Sequence, residues 1–235
     1  MSTAYRTILA KLALEPGQSL LDVGCGAGMF ASMASERGLV VCGIDTSDAL
    51  LAIARERSPS ADFRVGDLED LPFPAGSFDG VTGFNAFQFA ANPVAALSAA
   101  RRVAKKGGPV AVIIWGHQEA AAVTLAALTP LLAGSRTTSA KSVALAQEGG
   151  LRRFAEDGGL VDPFEVEDVN TEWSYPDLAT AVRGLNSAGS ARAAADRTSE
   201  EAVTRAHEAA LRPYVKIDGT VRLRAVFRYI IARAP

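Results

Sequence analysis

Residues 20–28 constrain this chain more than any other stretch. The apolar pair Leu20-Leu21 leads through Asp22 to glycines at every second position, Gly24, Gly26 and Gly28. A helical pattern follows at once. A strand that runs into a glycine turn and then a helix is expected to place bare backbone N–H groups at the carboxyl edge of a sheet. Glycine suits that position because it has no side chain to hold a ligand away.

The first half of the chain alternates between strand and helix patterns. Alternation of this kind predicts an α/β fold with a mostly parallel sheet covered on both faces. The predicted strands cover residues 19–23, 40–45, 63–65, 78–84 and 109–115, and the predicted helices cover residues 4–14, 29–38, 47–54 and 93–103.

The alternation stops after residue 115. Residues 120–132 and parts of 141–156 have helical patterns, and residues 164–175 alternate as in an antiparallel or edge strand. Residues 176–212 are predicted to be helical with a break near 184–189, with Thr198 and Glu201 as a capping box. A last strand is predicted over residues 222–232, after a turn at Gly219.

Composition narrows the class of protein. The chain has 235 residues and is 49% hydrophobic, enough to bury roughly 70% of its unfolded surface in one core. A net charge of −2 predicts no nucleic-acid partner. No apolar run reaches the roughly 20 residues of a membrane span, and the N-terminal sequence does not have the pattern of a signal peptide. We therefore expect a cytoplasmic protein. In that compartment the thiols of Cys25 and Cys42 are expected to be reduced. No residue cluster has metal-ligand spacing, so no metal is predicted.

Three carboxylates decide between two interpretations of the glycine loop. A dinucleotide fingerprint spaces its last glycine one residue later, and Asp22 would repel a pyrophosphate. Asp22 suits an ammonium or sulfonium group instead. Asp45 ends the second predicted strand, where a carboxylate can accept ribose hydroxyls, and Asp67 follows the third, where it could accept an adenine amino group.

The chain resembles the class I S-adenosylmethionine-dependent methyltransferases over roughly residues 5–116, most closely the small-molecule, quinone-biosynthesis-like group. The matching motifs come in the family's order. They are residues 20–28, Gly43-Ile44-Asp45 with Ser47, residues 66–68 before 71–73, residues 77–79 leading to 86–89, and Arg102-Val103 with Gly107-Gly108. The chain departs from the family at Lys106, which replaces a usual proline, and in the roughly 18 residues before the first strand, fewer than many relatives have.

The resemblance implies a doubly wound, mostly parallel seven-stranded sheet that ends in a C-terminal antiparallel hairpin, with a helical insertion after the fifth strand. It implies one methyltransferase domain over residues 1–235, with a cofactor-binding core at 1–116, an insertion or lid at 117–163, and sheet-completing elements at 164–235. The implied cofactor is S-adenosylmethionine. The residues implied to bind it are Asp22, Gly24, Cys25, Gly26, Gly28, Asp45, Thr46, Gly66, Asp67, Leu68, Phe84 and Asn85.

The sequence gives fewer indications of the residues that contact the methyl acceptor. The expected activity is in-line methyl transfer to an O, N or C nucleophile of a small molecule. His117 is a candidate general base, and the candidates for the substrate pocket are Tyr5, Phe87, Gln88, Phe89 and Trp115. Two alternatives stay open at this point: a non-catalytic, cofactor-binding member of the fold, and an NAD(P)-dependent oxidoreductase. The acceptor and the oligomeric state are not predicted.

Overall fold

The computed structural model of the protein describes residues 2–116, 119–132, 144–161 and 165–235. These residues divide into two compact units. The larger unit comprises Ser2–Ile114, Thr138–Val169 and Phe227–Pro235. The smaller unit comprises Trp115–Thr137 and Asn170–Val226.

Seven strands form one sheet in the order β3-β2-β1-β4-β5-β7-β6. Strand β1 pairs in parallel with both β2 and β4, β2 with β3, and β4 with β5. Gly107 and Gly108, at the start of β5, share hydrogen bonds with Ala234 at the end of β7, so those two strands run antiparallel. The predicted mixed sheet with a C-terminal hairpin is confirmed. The strands are β1 (Ser19–Val23), β2 (Val40–Asp45), β3 (Asp62–Val65), β4 (Gly80–Phe84), β5 (Pro109–Trp115), β6 (Val166–Tyr175) and β7 (Val221–Arg233).

Helices follow most of the strands of the first half. A 3₁₀ turn, Phe87–Phe89, separates β4 from the helix after it, and a second one covers Arg212–Tyr214. The helices are α1 (Ser2–Leu12), α2 (Met29–Ser35), α3 (Asp48–Arg57), α4 (Pro93–Val103), α5 (Glu119–Leu128), α6 (Gly150–Asp157), α7 (Leu178–Asn186), α8 (Gly189–Arg197) and α9 (Glu200–Leu211).

The core of the larger unit forms around its parallel strands. Residues 109–114 of β5 are all buried, which is typical of a parallel strand covered on both faces. Asn92 caps α4 through its side chain, which accepts from the Ala95 N–H, and α4 packs its apolar face into this core. Members of the core include Val23, Ile44, Val81, Leu97, Val103, Val112 and Ile114.

The smaller unit contains α5 and α7–α9. The predicted helical region 176–212 has two breaks rather than one, because α8 ends before α9 begins. The predicted capping box at Thr198 is wrong. Ser199 is the N-cap and accepts from the Ala202 N–H at 3.0 Å, whereas the Thr198 hydroxyl donates to the Ala194 carbonyl and closes α8. Within the ranges that the structure describes, no helix is both long and apolar enough to span a bilayer.

Candidate functional site

The sheet order creates a crevice at the carboxyl ends of β1 and β4. From β1 the chain builds β2 and β3 in one direction, and it then returns to build β4 and β5 on the other side. Ligands of open α/β sheets bind where the strand order reverses in this way. The glycine loop, residues 24–28, follows β1 at this point, and Asn85 follows β4.

The three glycines of the loop have different roles. All have positive φ, 68° at Gly24, 53° at Gly26 and 71° at Gly28, a conformation that glycine adopts without a steric penalty. A Cβ atom at Gly24 would lie 2.5 Å from the Cβ of Ala86, and one at Gly28 would lie 2.8 Å from that of Ala54. At Gly26 nothing lies within 4 Å of such an atom. The outer two glycines therefore permit close packing, and the middle one faces open space.

The backbone N–H groups of the loop are used inside the protein. Gly24 and Cys25 both donate to the Ile44 carbonyl, at 2.8 and 3.1 Å. Gly26 donates to Oδ2 of Asp45 at 2.9 Å. The expectation of bare N–H groups is thus wrong for these three, because the loop folds back onto the end of β2. With those donors occupied, the loop does not present the phosphate cradle of a dinucleotide site.

Asp45 supports the loop and retains capacity for a ligand. Its Oδ1 accepts the Ser47 N–H at 2.9 Å, and its Oδ2 accepts the Gly26 N–H. A carboxylate has about four lone-pair sites, so these two bonds leave acceptor positions on both oxygens. Ser47 in turn caps α3, since its hydroxyl accepts from the Leu50 N–H at 3.4 Å.

Asp22 is a buried acid at the same edge. The residue is 2% exposed, and its Oδ1 accepts from the Thr82 hydroxyl at 3.0 Å. Burial raises the pKa of Asp22 to about 7, the Thr82 hydrogen bond opposes this shift, and the charge of Asp45 adds to it. A cationic ligand group beside Asp22 would favour its ionised form.

Three aromatic rings pack together next to Asp22. The Phe84 ring centroid lies 4.8 Å from that of Tyr5, nearly edge-on, and 4.5 Å from that of Phe30. Burial, followed by the charge of Asp22, raises the pKa of Tyr5 to about 12, so the phenol is neutral. Tyr5 was expected in the substrate pocket and Phe84 in the cofactor site, and the structure brings them into contact. Phe30 was missed because its spacing reads as the apolar face of α2.

The residues that follow β2 and β3 are more exposed to solvent than Asp22. Thr46 and Asp67 are exposed, and Leu68 is half-buried. A Cβ at Gly66 would lie 2.5 Å from Cδ1 of Ile44, so this glycine serves packing. Cofactor contacts for these positions stay predictions.

Cys25 lies within the loop and is buried. Burial, with the nearby charge of Asp22, raises the pKa of its thiol far above the usual range. A thiol that stays protonated is a poor nucleophile, so Cys25 contributes backbone and packing rather than reactivity.

The predicted acceptor-side residues do not all gather at this edge. Phe87 is fully buried and packs with Phe154 at a ring distance of 6.2 Å, so its side chain belongs to the core. Phe89 is 60% exposed. Trp115 belongs to the smaller unit, where it packs edge-on against Trp173. His117, the candidate base, lies outside the described residues.

Gln88 and Asn85 form a polar pair after β4. Gln88 is 2% exposed, and its Nε2 donates to Oδ1 of Asn85 at 3.5 Å. The Asn85 backbone N–H donates to the Ile113 carbonyl at 2.8 Å. Across the described part of the chain, no group of three or more His, Cys, Asp or Glu side chains could hold a metal ion.

Comparison with known proteins agrees with this geometry. A model of the methyltransferase domain family matches residues 21–112. The malonyl-[acyl-carrier protein] O-methyltransferase of Serratia marcescens is 36% identical over 96 residues, which cover 41% of this chain and 38% of that protein. The demethylmenaquinone methyltransferase of Renibacterium salmoninarum is 35% identical over 112 residues, which cover 48% of this chain and 47% of that protein. The chain thus spans less than half the length of these relatives.

A solved structure extends the likeness in fold to nearly the whole chain. Phosphoethanolamine N-methyltransferase 2 of Haemonchus contortus, in complex with S-adenosyl-L-methionine, superposes with a TM-score of 0.59 at 22% identity. The match covers 99% of this chain and 52% of that one. Residues 21–112 thus match the methyltransferase domain family, and the chain shares the fold of a solved S-adenosyl-L-methionine-bound methyltransferase.

Proposed function

We propose that this protein transfers the methyl group of S-adenosylmethionine to an O, N or C nucleophile of a small molecule. One observation carries the proposal: the loop leaves open space at Gly26, whose N–H donates to Asp45, and a second strand-end carboxylate, Asp22, lies close enough for the charge of Asp45 to act on it. These strand-end acids suit a ligand with a cationic amino-acid end and a ribose, and not one with a pyrophosphate.

The residues present fit this cofactor. We propose that the carboxylate of Asp22 faces the ammonium and sulfonium end, and that Asp45 accepts hydrogen bonds from the ribose hydroxyls. Thr46, Asp67 and Leu68 would flank the adenine. Further contacts are proposed for Gly24, Cys25, Gly26, Gly28, Gly66, Phe84 and Asn85. When bound, S-adenosylmethionine supplies an electrophilic methyl group on a positively charged sulfur.

The contribution of the protein is then chiefly to position the acceptor. Holding a nucleophile against a reactive centre can supply about 7 kcal/mol or more of the barrier reduction. The buried ring of Tyr5 packs edge-on against the half-buried ring of Phe84, which follows Gly83 at the end of β4. His117 remains the proposed general base for an acceptor that must lose a proton.

A small-molecule acceptor is supported by the second of the two sequence relatives, a demethylmenaquinone methyltransferase, and the first is a malonyl-[acyl-carrier protein] O-methyltransferase. A cytoplasmic location is supported by Cys25 and Cys42, which are both free thiols. We propose no nucleic-acid or membrane partner.

Isothermal titration calorimetry tests the cofactor. We expect S-adenosylhomocysteine to bind and NAD to show no heat. Asp45→Ala should weaken the binding of S-adenosylhomocysteine at least tenfold, while Asp48→Ala, which removes an exposed carboxylate of α3, should leave it within twofold. Tight NAD binding with no S-adenosylhomocysteine binding would favour the oxidoreductase instead.

Methyl transfer is tested separately. The protein is incubated with methyl-labelled S-adenosylmethionine and a metabolite extract of the cells that make it, and labelled products are sought by mass spectrometry. A labelled product that depends on Asp45 supports the proposal. Binding of S-adenosylhomocysteine with no labelled product would favour a non-catalytic member of the fold.

A further inference from the structure

Gln88 keeps a buried polar atom without a partner among the described residues. The side chain is 2% exposed, and its Nε2 is bonded to Asn85, but its Oε1 has no hydrogen-bond partner there. Leaving such an atom unpaired costs more free energy than an ordinary hydrogen bond contributes. Native structures pair nearly all such groups, so each exception requires a physical explanation.

Reassigning the amides does not remove the exception. If both amides were turned by half a rotation, Asn85 would donate to the Gln88 oxygen, and the Gln88 nitrogen would become the unpaired atom. If Gln88 alone were turned, two oxygens would face each other. In each of these orientations one atom of the Gln88 amide has no partner among the described residues, and in the orientation that the structure has, that atom is Oε1.

The partner of Gln88 is itself conformationally unusual. Asn85 has φ of 51°, and in the described part of the chain only Ala13 is another non-glycine residue with positive φ. Such conformations persist where surrounding contacts enforce them, and they cluster at active sites and ligand clamps. Here the enforcing contacts are the bond to the Ile113 carbonyl and the bond from Gln88.

Two other side chains in the described ranges also have a buried atom without a partner, but they lie elsewhere in the fold. Arg101 lies near the end of α4, beside Gly159, and His207 lies in α9 of the smaller unit. Gln88 lies in the 3₁₀ turn that follows Asn85 at the carboxyl end of β4. Its neighbour Phe89 is 60% exposed, so this turn reaches the molecular surface.

We propose that the Gln88 amide oxygen accepts a hydrogen bond from a hydroxyl or amine group of the methyl acceptor. Gln88 is then a substrate-binding residue that selects acceptors carrying such a donor near the reacting atom. An acceptor without the donor would leave this buried oxygen unpaired, which is a strong basis for rejecting it. This inference rests on the proposed methyl transfer.

Gln88→Met tests the inference, because methionine keeps the length of the side chain and removes the amide. Gln147→Met, at an exposed position of the same unit, is the matched control. Three quantities are measured for each protein: the melting temperature without ligand, the affinity for S-adenosylhomocysteine, and the KM of the acceptor identified with methyl-labelled cofactor and extract.

For Gln88→Met we expect an unchanged or higher melting temperature, since an unpaired buried atom is removed. We also expect an affinity for S-adenosylhomocysteine within twofold of the parent and a KM for the labelled acceptor at least tenfold higher. The control should match the parent in all three. A labelled acceptor that lacks any O–H or N–H group, or a KM within twofold of the parent, would overturn the inference.

Failure of the proposed methyl transfer can be distinguished from failure of the inference about Gln88. If the parent protein yields no labelled product from the extract, methyl transfer itself is contradicted. The melting temperature still bears on Gln88 in that case. A fall of several degrees in Gln88→Met would show that its amide is already satisfied within the protein, and it would overturn the inference independently of activity.

Discussion

Oδ2 of Asp45 lies 2.9 Å from the backbone nitrogen of Gly26 and so joins the end of β2 to the middle of the glycine loop. The same carboxylate accepts the Ser47 N–H at the start of α3. One side chain therefore fixes both the loop and the following helix. The ribose acceptor that we propose is also the support of the loop against which the cofactor would lie.

Asp45→Ala should impair the loop as well as ribose binding. We expect the affinity for S-adenosylhomocysteine to fall at least tenfold and the free energy of unfolding to fall by about 1–3 kcal/mol, because the Gly26 and Ser47 N–H groups lose their side-chain acceptor. Calorimetry and urea unfolding measure the two effects. Unchanged affinity would remove Asp45 from the site.

Alanine substitutions at Gly28 and Gly26 should differ in their effects on the free energy of unfolding and on cofactor binding. Gly28→Ala should lower the free energy of unfolding by about 2–4 kcal/mol, because its Cβ meets Ala54 at 2.8 Å and its φ is unfavourable for alanine. Gly26→Ala has only the backbone cost, about 1–2 kcal/mol, since its Cβ enters open space.

For the affinity for S-adenosylhomocysteine, Gly26→Ala should have the larger effect of the two substitutions. Gly26→Ala should bind S-adenosylhomocysteine at least tenfold more weakly than the parent at a temperature where both are folded, because its methyl group occupies space proposed for the cofactor. Equal affinity of Gly26→Ala and the parent would show that the cofactor does not approach Gly26.

Asp22 should make ligand binding depend on pH. Its pKa of about 7 in the free protein means that much of it is protonated at neutral pH, whereas a bound ammonium group favours the carboxylate. We expect the affinity for S-adenosylhomocysteine to rise as the pH increases from about 5.5 to 8. In Asp22→Asn the affinity for S-adenosylhomocysteine should be weaker and should change little with pH. Calorimetry across this range in two buffers of different ionisation heat also detects the proton release.

The same group affects stability in the opposite direction. Between about pH 4 and 7 the folded protein holds a proton on Asp22 that the unfolded chain has released, so this contribution to the free energy of unfolding declines as the pH rises through that range. Asp22→Asn should lack this decline and be the more stable protein at pH 8. A less stable variant at pH 8 would contradict the raised pKa.

Asp79 joins the other ends of β1 and β4. Its carboxylate accepts from the Lys105 ammonium at 2.7 Å and from the Ser19 N–H and hydroxyl at 2.9 and 2.7 Å. The Lys105 hydrogen bond, and then those of Ser19, lower the pKa of Asp79 to about 2. A lowered pKa stabilises the folded protein above about pH 4, and this stabilisation is lost as the pH falls toward 2.

Asp79→Ala should therefore lower the free energy of unfolding by about 2 kcal/mol at pH 7 and by much less near pH 2.5. Asp62→Ala is the control, because that carboxylate is 54% exposed and pairs with Arg64 at the surface. It should cost less than about 1 kcal/mol. Similar losses in the two variants would argue against a special role for Asp79. Urea unfolding at both pH values provides the comparison.

The sequence predicted best the elements with strong local boundaries. β1, α4 and β5 have the predicted bounds because Pro16-Gly17, Asn92-Pro93 and Gly107-Gly108 stop the neighbouring patterns. Strand-end carboxylates were also visible, since Asp22 and Asp45 come directly at the ends of apolar runs.

Features that depend on tertiary contacts were not predictable. The loop N–H groups bond to the Ile44 carbonyl and to Asp45, which are distant in sequence. Asn85, with its positive φ, donates its N–H to Ile113 of β5, and Gln88 is buried beside it; neither feature has a local sequence signal. Phe30 joins the site because α2 turns it toward Phe84, a contact that no local pattern encodes.

Mass spectrometry after incubation with methyl-labelled S-adenosylmethionine and cell extract is the most direct test of methyl transfer by this protein. We expect a labelled small molecule that forms with the parent protein, together with S-adenosylhomocysteine, and that fails to form with Asp45→Ala. A parent protein that binds S-adenosylhomocysteine but labels nothing, or a product that forms equally with Asp45→Ala, would contradict it.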